Sequence, residues 1–311
     1  MQLFEDYKNT SKIVEICVKP SFRTNLTLLF FICFISTTLA AEFNKSLPTL
    51  SIAYKKFKDE EILDVDQYGH DIYIENSSGV IHEETFLDVP RILRFMVYNC
   101  RFASFDWTSL FRMSYLESID LYDVRGLPVL TNSVMLGFKS LKSMSIYDSD
   151  VTFQHDTFRR LKQLEYLSIS KVDVTILGNE VFTGSRLREL YWTESGITKI
   201  DKNCLSTLKN VRIINLSGNK IEYLQPETFV GLKNLERLYL NRNRLATVNF
   251  RHFASLSSLT YLDVSKNRIP TVDVEEVWRS VPSLTRIIMD SRSAPTGLKK
   301  DAFDSLQVML I

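Results

Sequence analysis

Histidine, cysteine, glycine and proline are all scarce in this chain, and each shortage closes off a class of explanation. The four histidines, His70, His82, His155 and His252, share no metal-ligand spacing, and no H-E-x-x-H occurs. No G-x-S-x-G, phosphate-binding loop or dinucleotide fingerprint is present either. The sequence therefore predicts no catalytic centre, no metal and no cofactor. Lys plus Arg (38) and Asp plus Glu (37) balance to a net charge of +1, which recommends neither nucleic acid nor an anionic membrane as partner. Ten Gly and eight Pro beside 45% apolar and 24% charged residues describe a folded chain.

Long apolar runs are also missing, with one exception at Leu26–Ala41. Lys12, Lys19 and Arg23 precede it, Thr38-x-Ala40 offers a small-residue cleavage site, and Glu42 follows. That layout predicts a secretory signal over 1–41, with an uncleaved type II anchor as the alternative. A spanning helix usually needs about 20 apolar residues. Either way the remainder lies outside the cytoplasm. A cleaved chain keeps only Cys100 and Cys204, more than four repeats (below) or roughly 20 Å apart, so they should not pair with each other. Cys100 reads as a core thiol. For Cys204 two expectations stand: a disulfide to a partner chain, or a partly buried free thiol.

What the chain does have is a beat. Apolar segments begin at Ile92, Leu116, Leu141, Leu164, Leu187, Val211, Leu235, Leu259 and Leu284. The clearest copy is Leu235-x-x-Leu238-x-Leu240-x-x-Asn243-x-Leu245. A period held this long means one structural unit stacked on copies of itself, each burying its apolar side only against its neighbours. The fourth and sixth positions should point inward from a short strand, from Phe95/Val97 through Leu190/Trp192 to Ile287/Met289. A second apolar pair, such as Phe158/Leu161 or Phe229/Leu232, should close the outer arc. A weaker tenth start surrounds Ile72-x-Ile74, with Phe86 as its anchor.

This pattern resembles the leucine-rich repeats of extracellular proteins, in their 24-residue form, over Gly69 to the C-terminus. The resemblance implies an α/β solenoid, a horseshoe with a parallel sheet on the concave face and irregular or 3-10 turns on the convex one. Residues 42–68 would form the N-terminal cap and 69–311 the repeats. The family rule places a buried amide at the ninth position, as at Asn219, Asn243 and Asn267, where it bonds otherwise unsatisfied turn backbone. Val124 and Val172 cannot do this, so the early repeats should be less regular. More weakly, the irregular N-terminal repeats and missing cysteine caps resemble secreted leucine-rich immune factors of insects and Toll-type ectodomains. Phe303-x-x-Leu306 reads as the outer anchor of another repeat, and the sequence stops at Leu310-Ile311 inside the next strand, which implies an incomplete sequence or an end covered by another chain.

Position in the repeat also predicts a binding surface. Tyr98, Tyr122 and Tyr147 hold successive seventh positions, with Asp123 and Asp148 beside them at the eighth. Tyr191, Arg237, Tyr239 and Arg242 fall on the same concave face further along. Tyrosine suits protein contacts, offering area and a hydrogen bond at low entropy cost; the plainer alternative is a ladder that only steadies the sheet. Asn44-Lys45-Ser46, Asn76-Ser77-Ser78 and Asn215-Leu216-Ser217 are acceptor motifs for N-linked glycans. A glycan on Asn215 would obstruct the middle of the concave face. The expected function is extracellular recognition of a protein or glycan partner, in innate immunity or receptor assembly. The alternative is an adhesion or matrix protein held by an N-terminal anchor.

Overall fold

The computed structural model describes residues 50–53, 71–86, 91–179, 181–292, 294–296 and 306–311. The expected leader (1–41), Asn44 and most of the expected cap lie outside them. The described residues fall into two compact units, one drawn from within Met1–Pro128, Gly137–Leu141 and Ser149–Val151, the other from within Val129–Leu136, Lys142–Asp148 and Thr152–Ile311. Each is a solenoid of parallel strands with little helix.

In the first unit, β1 (Leu50–Ala53), β2 (Asp71–Glu75), β4 (Arg94–Phe105) and β5 (Ser118–Arg125) lie side by side, and β3 (Ser78–Ile81) pairs with the far half of β4. The expected cap region thus contributes a strand, with Leu50 opposite Ile72. Repeats stay in register: Phe95 faces Ile119 and Val97 faces Leu121 across β4 and β5. In the second unit the order is β6 (Ser143–Tyr147), β7 (Tyr166–Ser170), β9 (Glu189–Thr193), β11 (Ile213–Asn215), β12 (Arg237–Tyr239), β13 (Tyr261–Asp263), β15 (Arg286–Met289) and β17 (Gln307–Leu310). Two small pairs return on the other side: β8 (Ile176–Leu177) with β10 (Lys199–Ile200), and β14 (Thr271–Asp273) with β16 (Ala294–Thr296).

Period-two alternation fixes which side chains enter the core. Along β7 and β9 half-buried and buried residues alternate, with Leu167, Ile169, Leu190 and Trp192 inside. The expected fourth and sixth positions are buried in every repeat from Phe95 to Met289, and so are Ile72, Ile74 and Phe86 of the weak start. The outer anchors Phe158, Leu161, Leu205, Leu208, Phe229, Leu232, Phe253 and Leu256 are buried too. Each such side chain contributes about 1.5–3 kcal/mol of apolar burial. Aromatic rings knit neighbouring layers: Phe105 meets Phe95 and Trp107 in the first unit, and Trp192 meets Phe153, Phe158 and Phe182 in the second.

The return segments are mostly turns, as expected, with short 3-10 helices at Trp107–Arg112 and Phe250–Phe253. Asp106 starts the first by accepting from the backbone N–H of Thr108 at 2.9 Å, and Asn249 does the same for Arg251 at 3.0 Å.

The asparagines behave as the family rule requires. Asn219 Oδ1 accepts from the backbone of Ser195 (3.0 Å) and Ile197 (3.2 Å), while its Nδ2 donates to the carbonyls of Trp192 (2.7 Å) and Leu216 (3.0 Å). Asn243 and Asn267 repeat the arrangement one and two layers on. The early repeats are less regular, as expected, in strand length and register, yet their turn backbone still finds partners. Where the ninth residue is Cys100 or Val124, strand pairing resumes after a left-handed residue at Asn99 or Asp123, so that β4 reaches twelve residues and pairs with β3, across a register shift between Gly79 and Val80, through Ile81 opposite Phe105. The Val124 N–H donates to Ser149 Oγ at 3.0 Å, and the Val172 N–H donates to Ser195 Oγ at 3.3 Å. Asp150 accepts from Gly126 (2.7 Å) and Leu127 (3.1 Å) in the same region.

Candidate functional site

Alternation that sends the fourth and sixth residues inward leaves the third, fifth and seventh on the open face of each sheet. In the first unit this face carries a column of tyrosines. Tyr98 and Tyr122 stack with ring centroids 4.9 Å apart and planes within 1°. Tyr73, between the two core isoleucines of β2, packs on the other side of Tyr98 at 5.0 Å. All three are half-buried. Partial burial raises the Tyr98 pKa, helped by Tyr122, Asp120 and Glu75. The phenol therefore stays a hydrogen-bond donor across the physiological range. Below the column, the buried carboxylate of Asp71 takes a bidentate grip from Arg94, whose Nε donates to Oδ1 at 2.9 Å.

The eighth position marks the edge of the open face, and it does so with one backbone geometry from the weak first start through the repeat that begins at Leu259. Asn76, Asn99, Asp123, Asp148, Lys171, Glu194, Gly218, Arg242 and Lys266 all have positive φ, between 45° and 72°. Asn and Asp tolerate this left-handed corner better than most residues. Asp123 is thus a corner residue first: its carboxylate accepts from Arg101 at 3.2 Å and pairs with Arg125 at 3.1 Å. Asn99 Nδ2 donates to Asn76 Oδ1 at 2.6 Å along the same edge. Asp148 and Arg242 turn the chain in the second unit, donating backbone N–H to Ser170 and Ser265, each at 2.9 Å.

Tyr147, more than a third exposed, belongs to the second unit, where Lys171 Nζ donates to its phenol at 2.5 Å and sits 4.8 Å from the ring centre. Further along, Tyr191 donates to Glu189 at 2.9 Å and packs on Tyr166 at 5.5 Å. Burial and that carboxylate hold its pKa well above the ordinary value. Tyr239 packs on Tyr261 at 4.9 Å, and Arg237 stands exposed beside it.

Sequence reasoning missed Tyr73, the Asp71–Arg94 pair, Lys171 and Glu189. Tyr73 was recoverable, since it sits between Ile72 and Ile74 of the weak tenth start and must therefore face outward with Tyr98. Cys204 is fully buried, and burial drives its thiol pKa up. A sulfur so enclosed offers no surface to another chain, so of the two expectations the free thiol is the one its surroundings favour. Cys100 is a buried thiol donating to the Tyr98 carbonyl at 3.2 Å, its pKa pushed up by burial to about 11. Among the described residues no three potential metal ligands converge, and no helix is long and apolar enough to cross a membrane.

The repeat motif has recognised kin. A family model described as leucine rich repeat matches 185–245 and 233–293, and one described as BspA type leucine rich repeat region matches 98–196. The chain is a leucine-rich repeat protein. No curated protein matches it significantly. Among solved structures it resembles FLRT2 in an octameric complex with latrophilin 3 and Unc5D, with TM-score 0.63 and 17% identity over 80% of this chain and 86% of that one. It also resembles TLR13 in complex with single-stranded RNA, with TM-score 0.60 and 16% identity. That match covers 78% of this chain, which spans only 43% of the TLR13 chain. A leucine-rich repeat protein of Leptospira interrogans matches with TM-score 0.58 and 18% identity, over 78% of this chain and 72% of that one. At these identities the likeness establishes the fold.

Proposed function

We propose that the protein is an extracellular, non-catalytic recognition protein that binds a protein partner through the open face of its repeats, in innate immunity or receptor-complex assembly. The observation that carries this reading is the Tyr73–Tyr98–Tyr122 column. Three half-buried rings in a row, one pair parallel and one tilted by 34°, present an aromatic surface on which the Tyr98 phenol remains a donor, and Asp120 and Glu75 stand close enough to raise its pKa. A polypeptide segment bearing carbonyl acceptors and basic side chains is the complementary partner. The same carboxylates repel a phosphate backbone, which sets this partner apart from the RNA of the TLR13 complex. The buried thiols favour association without a disulfide.

Two measurements test the proposal. Full-length protein expressed in secreting cells should appear in the medium; retention on the cell surface would favour the anchored adhesion protein instead. A photo-crosslinking residue at position 122 should capture a partner from the source fluid, while the same residue at the exposed Tyr223 should not. Equal capture at both positions overturns the assignment of the face.

A further inference from the structure

Asn215 is the last residue of β11 and the fifth position of the repeat that starts at Val211, on the open face of the second unit. Its register partners are Tyr191 on β9 and Tyr239 on β12. Each of these tyrosines leans on another tyrosine on the side away from Asn215. Tyr191 packs against Tyr166 of β7, and Tyr239 packs against Tyr261 of β13. The two aromatic pairs therefore flank β11, which contributes Asn215 at this level of the sheet. The asparagine is half-buried. Its Oδ1 accepts from the backbone N–H of Ser217 at 2.9 Å, and its Nδ2 has no hydrogen-bond partner among the described residues. Ser217 completes the acceptor motif Asn215-Leu216-Ser217, with Leu216 in the core.

We propose that Asn215 is an N-glycosylation site built into the open face, with the first N-acetylglucosamine lodged between Tyr191 and Tyr239. Adjacent parallel strands lie about 4.8 Å apart, so these tyrosines are about 10 Å apart at the backbone. Contact between carbon surfaces takes about 3.5–4 Å on each side. What remains is the thickness of one saturated six-membered ring. The apolar C–H faces of the sugar meet the aromatic faces, and its hydroxyls reach the Tyr191–Glu189 pair. In the transfer step Nδ2 forms a bond to the anomeric carbon of a polyprenyl-diphosphate-linked oligosaccharide. That carbon's bond to the phosphate oxygen breaks, the diphosphate departs with the electron pair, and the amide loses one proton. A glycan here covers the middle of the second unit's face and leaves the tyrosine column of the first unit for the partner.

The inference rests on the extracellular reading, and the test separates the two. Full-length protein from secreting animal cells is digested, and glycan occupancy is mapped by mass spectrometry at Asn44, Asn76 and Asn215. Occupied Asn215 is expected, abolished there alone by Ser217→Ala and retained by Ser217→Thr. Bare Asn215 in protein recovered from the medium overturns the inference while the secretory reading stands. A chain kept in the cytosol overturns both. For the cradle, enzymatic release of the Asn215 glycan from folded protein should be several-fold slower than from denatured protein. The double substitution Tyr191→Ala with Tyr239→Ala should remove most of that protection, and an unchanged release rate would sink the cradle.

Discussion

The early and the late repeats solve one problem in two ways. After each strand the chain must turn, and the backbone groups at the turn lose their sheet partners while still buried. In the late repeats one side chain takes over: Asn219, Asn243 and Asn267 each bind backbone of their own layer and of the layer before. Strands there can be short, three residues in β11, β12 and β13. In the early repeats, where Cys100 and Val124 stand at that position, the strands run on, twelve residues in β4 and eight in β5. Backbone ladder, together with the Ser149 hydroxyl at Val124, replaces the side-chain amide. A repeat that breaks the family consensus is therefore not a weak repeat; it has moved the same hydrogen bonds elsewhere.

The largest test of that contrast is a pair of substitutions. Asn219→Ala strands two buried N–H groups and two carbonyls, and should cost about 3–5 kcal/mol. Cys100→Ala removes a small buried side chain whose neighbours are held by strand pairing, and should cost about 1–2 kcal/mol. Denaturant unfolding of the two variants measures both, and equal losses would refute the division of labour.

Alkaline titration sharpens the same comparison. Cys100 holds its proton in the fold up to about pH 11, against an ordinary thiol value of 9.0. The native state therefore binds more protons than the unfolded one above pH 9. The stabilisation is complete below that pH and is lost as pH rises to 11, by about 2–3 kcal/mol. Unfolding curves across pH 8 to 11 should show the fall, and Cys100→Ala should flatten it. Buried Cys204 pulls in the same direction, so a residual slope is expected in the variant.

Much of this was written in the sequence because the core obeys a strict period. Leu238 and Leu240 announce their burial by spacing alone, and so does every other inward pair. What was not legible is compensation at a distance. Nothing near Val124 says that its N–H finds Ser149 one repeat later, or that β4 continues to Phe105 because β3 lies beside it. The tyrosine column was half legible. Tyr98 and Tyr122 hold matching positions, but Tyr73 sits in a unit whose first residue is Gly69 and whose apolar signature is faint. The left-handed corner escaped altogether, because Lys171, Glu194 and Arg242 carry no mark of it.

Ser149→Ala examines the compensation itself. It leaves the Val124 N–H without its side-chain acceptor in a buried place, at a cost of about 1–2 kcal/mol. Amide exchange at Val124 should be markedly faster in the variant than in the parent, while exchange around Asn243 stays as it was. Unchanged protection at Val124 would mean that the serine is dispensable and the extended strand alone carries the turn.

The smallest expected effect concerns the tyrosines. A column that exists to hold the sheet together and a column that exists to meet a partner differ in what truncation does. Tyr98 and Tyr122 stack almost in parallel, and such a pair is worth about 0.5–1.5 kcal/mol beyond burial. A double-mutant cycle with Tyr98→Ala and Tyr122→Ala should return a stability coupling of that size. If the column were only a brace, the loss would end there and crosslinking from neighbouring face positions would persist. On the recognition reading, either substitution leaves the folded state well populated yet removes most of the partner captured from position 73, because each ring is both a contact surface and the support of the next. Full stability coupling with undiminished capture would return the tyrosines to the scaffold and send the search for the partner to the other unit.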